Sequence, residues 1–106
     1  MIYKVKIEKQ VFKYINKLGR KEELSFKKRF DELQHNKKGY RLLDVFKNIE
    51  LWELRCSSHR VYYTVENGFI VIENIEYDGN INVDKAGNKN TQNKDIVFLK
   101  KKMRSN

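Results

Sequence analysis

Proline is absent from this 106-residue chain, and cysteine occurs once, as Cys56. The missing proline by itself excludes no function class. The lone cysteine is more restrictive. It rules out an internal disulfide, and no Cys/His cluster has zinc spacing, so a reducing, cytoplasmic environment is expected. No apolar run approaches the roughly 20 residues of a membrane span, and the N-terminus lacks the apolar core of a signal peptide. Internal repeats are missing as well. A chain of this length is expected to form one domain, residues 1–106, around a single core.

Charge is what the sequence has in excess. The formal net charge is +9, with 23 Lys and Arg against 14 Asp and Glu. Residues 1–38 hold 12 basic and 5 acidic side chains, residues 39–84 hold 4 and 8, and residues 85–106 hold 7 and 1. Both ends are therefore basic and the middle is acidic. A lysine-rich solvated surface accounts for many of these charges. Clustering at both ends, with arginines rather than lysines in the sheet, points instead to a polyanion partner. The planar fork of arginine suits bidentate contact with phosphate.

The middle segment carries the clearest pattern. Residues 51–65 read as two alternating strands joined by a short turn over 56–59, which sets Arg55 opposite Arg60. Like charges directly across a ladder repel, so a pair kept there suggests an anion to receive. The same register sets Glu53 against Tyr62 and Leu51 against Thr64. The other face then receives Trp52, Leu54, Val61, Tyr63 and Val65 as a core surface. Asn67-Gly68 is a favoured hairpin turn. Pairing 66 with 69 sets 65 against 70, 63 against 72 and 61 against 74, which assigns Ile70 and Ile72 to the core. It assigns Val71, Glu73, Ile75 and Tyr77 to the arginine face.

Around this meander the elements are simpler. Residues 2–7 alternate as a first strand. Val11, Ile15 and Leu18 recur at helical spacing and stop at Gly19; a second helix starts near Arg20 and presents Phe26, Phe30 and Leu33. Those three are core contacts rather than a ligand stripe. The segment 40–49 suits either a short helix or an extended packing segment. Residues 78–90 are polar and turn-rich, and residues 92–104 form a terminal helix with Ile96, Leu99 and Met103 on one face. The expected architecture is α+β: an antiparallel meander sheet with an N-terminal strand, two N-terminal helices packed on it and a C-terminal helix.

Glu53-Leu54-Arg55 followed by Arg60-Val61-Tyr62-Tyr63 resembles the RelE/ParE superfamily of bacterial toxins from toxin–antitoxin pairs. Lys89-Asn90-Thr91-Gln92 leading into Asp95-Ile96 is similar to a segment of the HigB-like branch, phage-derived relatives included. That branch places paired lysines directly after the last strand and a proline before the terminal helix. Here there is no proline, and residues 78–90 look like an insertion.

The resemblance implies a ribosome-dependent mRNA endoribonuclease that inhibits translation. Cleavage would proceed through the RNA's own 2′-hydroxyl, without metal or cofactor. Arg55 and Arg60 would stabilise the developing phosphate charge. His59 and Tyr77 are the candidate proton-transfer groups, and Lys89 joins them as a catalytic candidate. Tyr62, Lys85, Lys89 and Lys94 are further candidate RNA contacts. Against these stand plainer assignments: His59 in a surface turn, His35 at a helix end, Tyr62 and Tyr77 as packing residues, Trp52 as a core anchor, Cys56 as structural. Glu53 either orients Arg55 or offsets its charge. The implied partners are mRNA on the ribosome and a cognate antitoxin, commonly a helix-turn-helix protein. Two alternatives are a ParE-like toxin directed at gyrase and a non-catalytic basic module that binds nucleic acid.

Overall fold

The period of the apolar residues switches from helical to alternating near residue 40, and the fold follows that switch. The computed structural model describes residues 2–79 and 94–105, the side chains of Lys94 and Asp95 excepted. In chain order the elements are β1 (Lys4–Ile7), α1 (Lys9–Lys17), α2 (Arg20–Leu33), β2 (Arg41–Phe46), β3 (Ile49–Cys56), β4 (His59–Glu66), β5 (Phe69–Tyr77) and α3 (Lys94–Arg104). The strands form one sheet in the order β1-β5-β4-β3-β2. β2 to β5 are an antiparallel meander, whereas β1 lies parallel to β5, so the sheet is mixed.

Helices α1 and α2 cover one face of the sheet. Val11, Ile15, Phe26, Phe30 and Leu33 meet Leu54, Val61, Tyr63, Val65, Ile70 and Ile72 in the larger core cluster. Burying side chains of this size is worth about 1.5–3 kcal/mol each, which holds two short helices that would be marginal alone. Gly19 separates them at φ +109°, a conformation that disfavours any Cβ. On the opposite face α3 places Ile96, Leu99 and Met103 over Leu51 and Tyr62, flanked by Leu43, Phe46 and Ile49. Its last turn is tied down by Lys102 Nζ to Glu73 Oε1 at 3.1 Å and by an ion pair between Arg104 and Asp44.

The β3–β4 pairing is the expected one: Arg55 opposes Arg60, Glu53 opposes Tyr62 and Leu51 opposes Thr64. The turns agree with it. Ser57 and Ser58 take φ of +50° and +61°, and Asn67 and Gly68 take +51° and +83°, as tight hairpins of this hand require.

One ambiguity is settled and one expectation fails, both through a bulge. Residues 40–49 take the extended of the two forms expected, as a strand; Leu42 and Val45 are three apart because a bulge falls between Leu42 and Asp44. A second bulge between Tyr62 and Tyr63 shifts the β4–β5 register, so Val61 opposes Ile75 rather than residue 74. At each bulge a short side chain captures the next backbone N–H: Asp44 Oδ1 accepts from Val45 and Asn74 Oδ1 from Ile75, both at 2.9 Å. In consequence Ile75 packs with the helix-side core and Tyr77 lies opposite His59. Neither is on the arginine face. Glu76, opposite Arg60, takes their place there.

Candidate functional site

The α3-side face of the sheet is divided in two. One half is apolar and lies under α3. The other half carries Arg41 from β2, Glu53 and Arg55 from β3, and Arg60 from β4, brought side by side by the ladder pairs Arg41–Glu53 and Arg55–Arg60.

Glu53 is the centre of this group and is fully buried. Its Oε1 accepts from Arg41 Nη2 at 3.0 Å, its Oε2 accepts from Arg55 Nε at 2.9 Å, and Arg60 Nη1 lies 3.8 Å from Oε2. A buried carboxylate without cations would be strongly unfavourable; three guanidiniums make it tolerable, and it in turn lets like charges sit together. This resolves the repulsion that the sequence pattern posed.

The three arginines are not equivalent. Arg60 is 5% exposed and gives both Nε (2.8 Å) and Nη2 (2.7 Å) to Asp78 Oδ2, the residue just past β5. Burial pushes the Arg60 pKa down, but Asp78 and Glu53 together outweigh it and leave it raised. Asp78 is itself held by its N–H on the Ser58 carbonyl at 2.7 Å. The expectation that Arg60 grips an external phosphate is therefore corrected. Its charge is directed inward by two carboxylates. Arg41 and Arg55 are the outer pair, with side chains 39% and 21% exposed. The Arg55 guanidinium lies over the Tyr40 ring, 3.9 Å from its centroid.

Likeness to known proteins was then decisive. No family model matches the chain, and no curated protein does. Among solved structures, the crystal structure of the archaeal RelE–RelB complex from Pyrococcus horikoshii OT3 contains a chain that is similar at 28% identity and a TM-score of 0.66. The match covers 74% of this chain and 98% of that one. The chain is thus similar to a RelE protein over about three quarters of its length. Its sheet with two helices on one face and one on the other is a RelE-like fold.

Several residues expected at a RelE-type site lie elsewhere. His59 is 3% exposed and sits on the helix side of the sheet, because it is one residue out of phase with Arg60. Its Nδ1 lies 2.6 Å from the Ser57 carbonyl, which can only accept, so Nδ1 carries a proton. Its Nε2 pairs with the Tyr14 hydroxyl, 2.8 Å away. Phe26 and Tyr77 pack edge-on against the same ring. His59 and Tyr77 thus face away from the arginines, and neither can move a proton at a phosphate held there. Tyr62 is on the arginine face but fully buried beside α3, its hydroxyl donating to Glu76 Oε1 at 2.8 Å; it packs and cannot reach RNA. Lys85 and Lys89 lie outside the described residues. Lys94 opens α3, and its side chain is likewise outside them.

Of the expected constellation, among the described residues only Arg55 and Arg60 come together. Arg41, Tyr40, Glu76 and Asp78 complete the group. Arg41 was hidden by the ambiguous 40–49 segment, and Glu76 and Asp78 by the bulge that reverses the alternation of β5. Glu53 was the available signal, a carboxylate between Leu51 and Arg55 on the same face of the strand.

Proposed function

We propose that this chain is the toxin of a toxin–antitoxin pair, of the HigB-like branch, and that it cleaves mRNA on the ribosome. Likeness to the RelE chain of the archaeal complex supports the toxin assignment. The observation that carries the RNA-directed reading is the pair of outer guanidiniums, Arg41 and Arg55, fixed over one buried carboxylate on an open part of the sheet.

Cleavage by the RNA's own 2′-hydroxyl forms a pentavalent phosphorus with extra negative charge on its equatorial oxygens. Preset cations stabilise that charge without reorganising. Arg55 uses Nε on Glu53, which leaves the two Nη ends of its fork directed away from that bond; among the described residues no carboxylate takes them. Arg41 stands on the other side of Glu53. The cluster of Arg41, Arg55 and Arg60 with Glu53, Glu76 and Asp78 is formally neutral, so long-range attraction for RNA comes from the +9 of the whole chain. The ribosome would supply the positioned substrate. A cognate antitoxin, of helix-turn-helix type and with acidic segments to match the basic chain, would hold the toxin inactive.

One observation favours the runner-up. With His59 and Tyr77 on the far face, the described part of the arginine face offers no free acid–base pair. That arrangement suits a gyrase-directed toxin or a non-catalytic basic module. Primer extension on mRNA from a translating extract separates them. The expected result is ribosome-dependent cuts that weaken about a hundredfold with Arg55→Ala. Growth arrest by the unaltered chain with intact mRNA would discard the nuclease reading.

A further inference from the structure

We infer, on the RNA-directed reading above, that Tyr40 and Arg55 form a stacking platform for one nucleobase of single-stranded RNA, beside the phosphate that Arg41 and Arg55 receive. Tyr40 is 59% exposed although its backbone is firmly held. Its N–H donates to the Glu53 carbonyl at 2.7 Å. Gly39, just before it, lies so close to the strand that a Cβ there would come within 2.4 Å of the Tyr63 hydroxyl and 2.6 Å of the Glu53 carbonyl. Arg55 is held by the same residue through its carboxylate at 2.9 Å. Both plates of the stack are therefore tethered to Glu53, one to its backbone and one to its side chain.

Packing alone gives no reason to leave this ring outside. An aromatic ring or a guanidinium plane is what an unpaired base stacks on, and such stacks tolerate any base while favouring the larger purine surface. Duplex bases are already stacked on each other, so the platform selects single strands. Ordering Tyr40 in advance lowers the entropy lost when a base arrives.

The test uses the intact chain and two fluorescent RNA heptamers with 2′-O-methyl sugars, one all uridine and one with a single central adenine. Anisotropy at low salt should show the adenine-containing heptamer bound several-fold more tightly. Tyr40→Leu should bring the two affinities together without changing their salt dependence, and Tyr40→Trp should restore the difference. Arg55→Ala should weaken both heptamers and flatten the salt dependence. An adenine preference that survives Tyr40→Leu would overturn the platform and leave the arginine site standing. If the unaltered chain binds neither heptamer better than the Arg41→Ala/Arg55→Ala double variant, the RNA-directed reading fails and the platform with it.

Discussion

The two faces of the β3–β4 hairpin solve the same problem in opposite ways. Each buries a polar side chain near the turn. On the helix side His59 is shared between a carbonyl and the Tyr14 hydroxyl and is enclosed by Phe26 and Tyr77. On the other side Glu53 is buried with three guanidiniums around it, two of which reach solvent. A ring whose two nitrogens both have partners can be closed off; a charged cluster stays cheaper with one side open to water. The contrast teaches that the candidate site is where it is because a sheet face left half uncovered by α3 is the place for charge.

The strongest way to break the contrast is Glu53→Ala. Three guanidiniums would lose their common partner, the buried Arg60 among them. Chemical denaturation should show a loss of about 3–5 kcal/mol, with cleavage abolished as well. Unchanged stability would mean that the arginines rearrange freely and that Glu53 organises nothing. Next in size is Arg55→Ala measured on both axes. It removes one of three cations from a buried carboxylate, so stability should fall by about 1–3 kcal/mol, less than with Glu53→Ala, while cleavage is cut heavily. Tyr14→Phe is its mirror image across the sheet. It removes one buried hydrogen bond to His59, so stability should fall by about 1 kcal/mol with cleavage unchanged. A Tyr14→Phe variant that folds normally yet cuts poorly would return His59 to the chemistry.

The smallest effect is in acid. On the helix side the Glu50 carboxyl is held below its ordinary range by a hydrogen bond from Trp52 and by Lys37, against the opposing effect of burial. On the α3 side Asp44 is lowered by Arg104. A carboxyl whose pKa is depressed on folding adds stability that is complete above its unfolded pKa and disappears as pH falls through the folded one. Thermal melting across the acid range should therefore flatten slightly in Glu50→Gln and in Asp44→Asn, by less than ~1 kcal/mol each. A steeper acid limb in either variant would contradict the direction given.

Much of the fold was legible in the residues, and the failures are local. The Asn67-Gly68 turn and the 55–60 pairing could be read because strict alternation held between them. Helices α1, α2 and α3 were legible from Val11 and Ile15, from Phe26, Phe30 and Leu33, and from Ile96, Leu99 and Met103. Alternation broke at Asp44 and at Asn74, where a bulge adds a residue that no period-2 count anticipates. That single kind of error turned β2 into an ambiguous segment and sent Ile75 and Tyr77 to the wrong face. It also hid Arg41 and Asp78. His59 was misplaced for a different reason: adjacency to Arg60 in sequence means opposite faces in a strand.

Among the described residues the sheet ends in two unpaired margins, and each is blunted differently. β1 is only four residues long and shows Lys4 and Lys6 to solvent, while β2 is bent by its bulge at Asp44. Charge on one rim and a kink on the other discourage a second molecule from extending the ribbon. Copies crowded together at high concentration should thus stay apart rather than grow into fibres, although nothing but a few residues on each rim stands in the way.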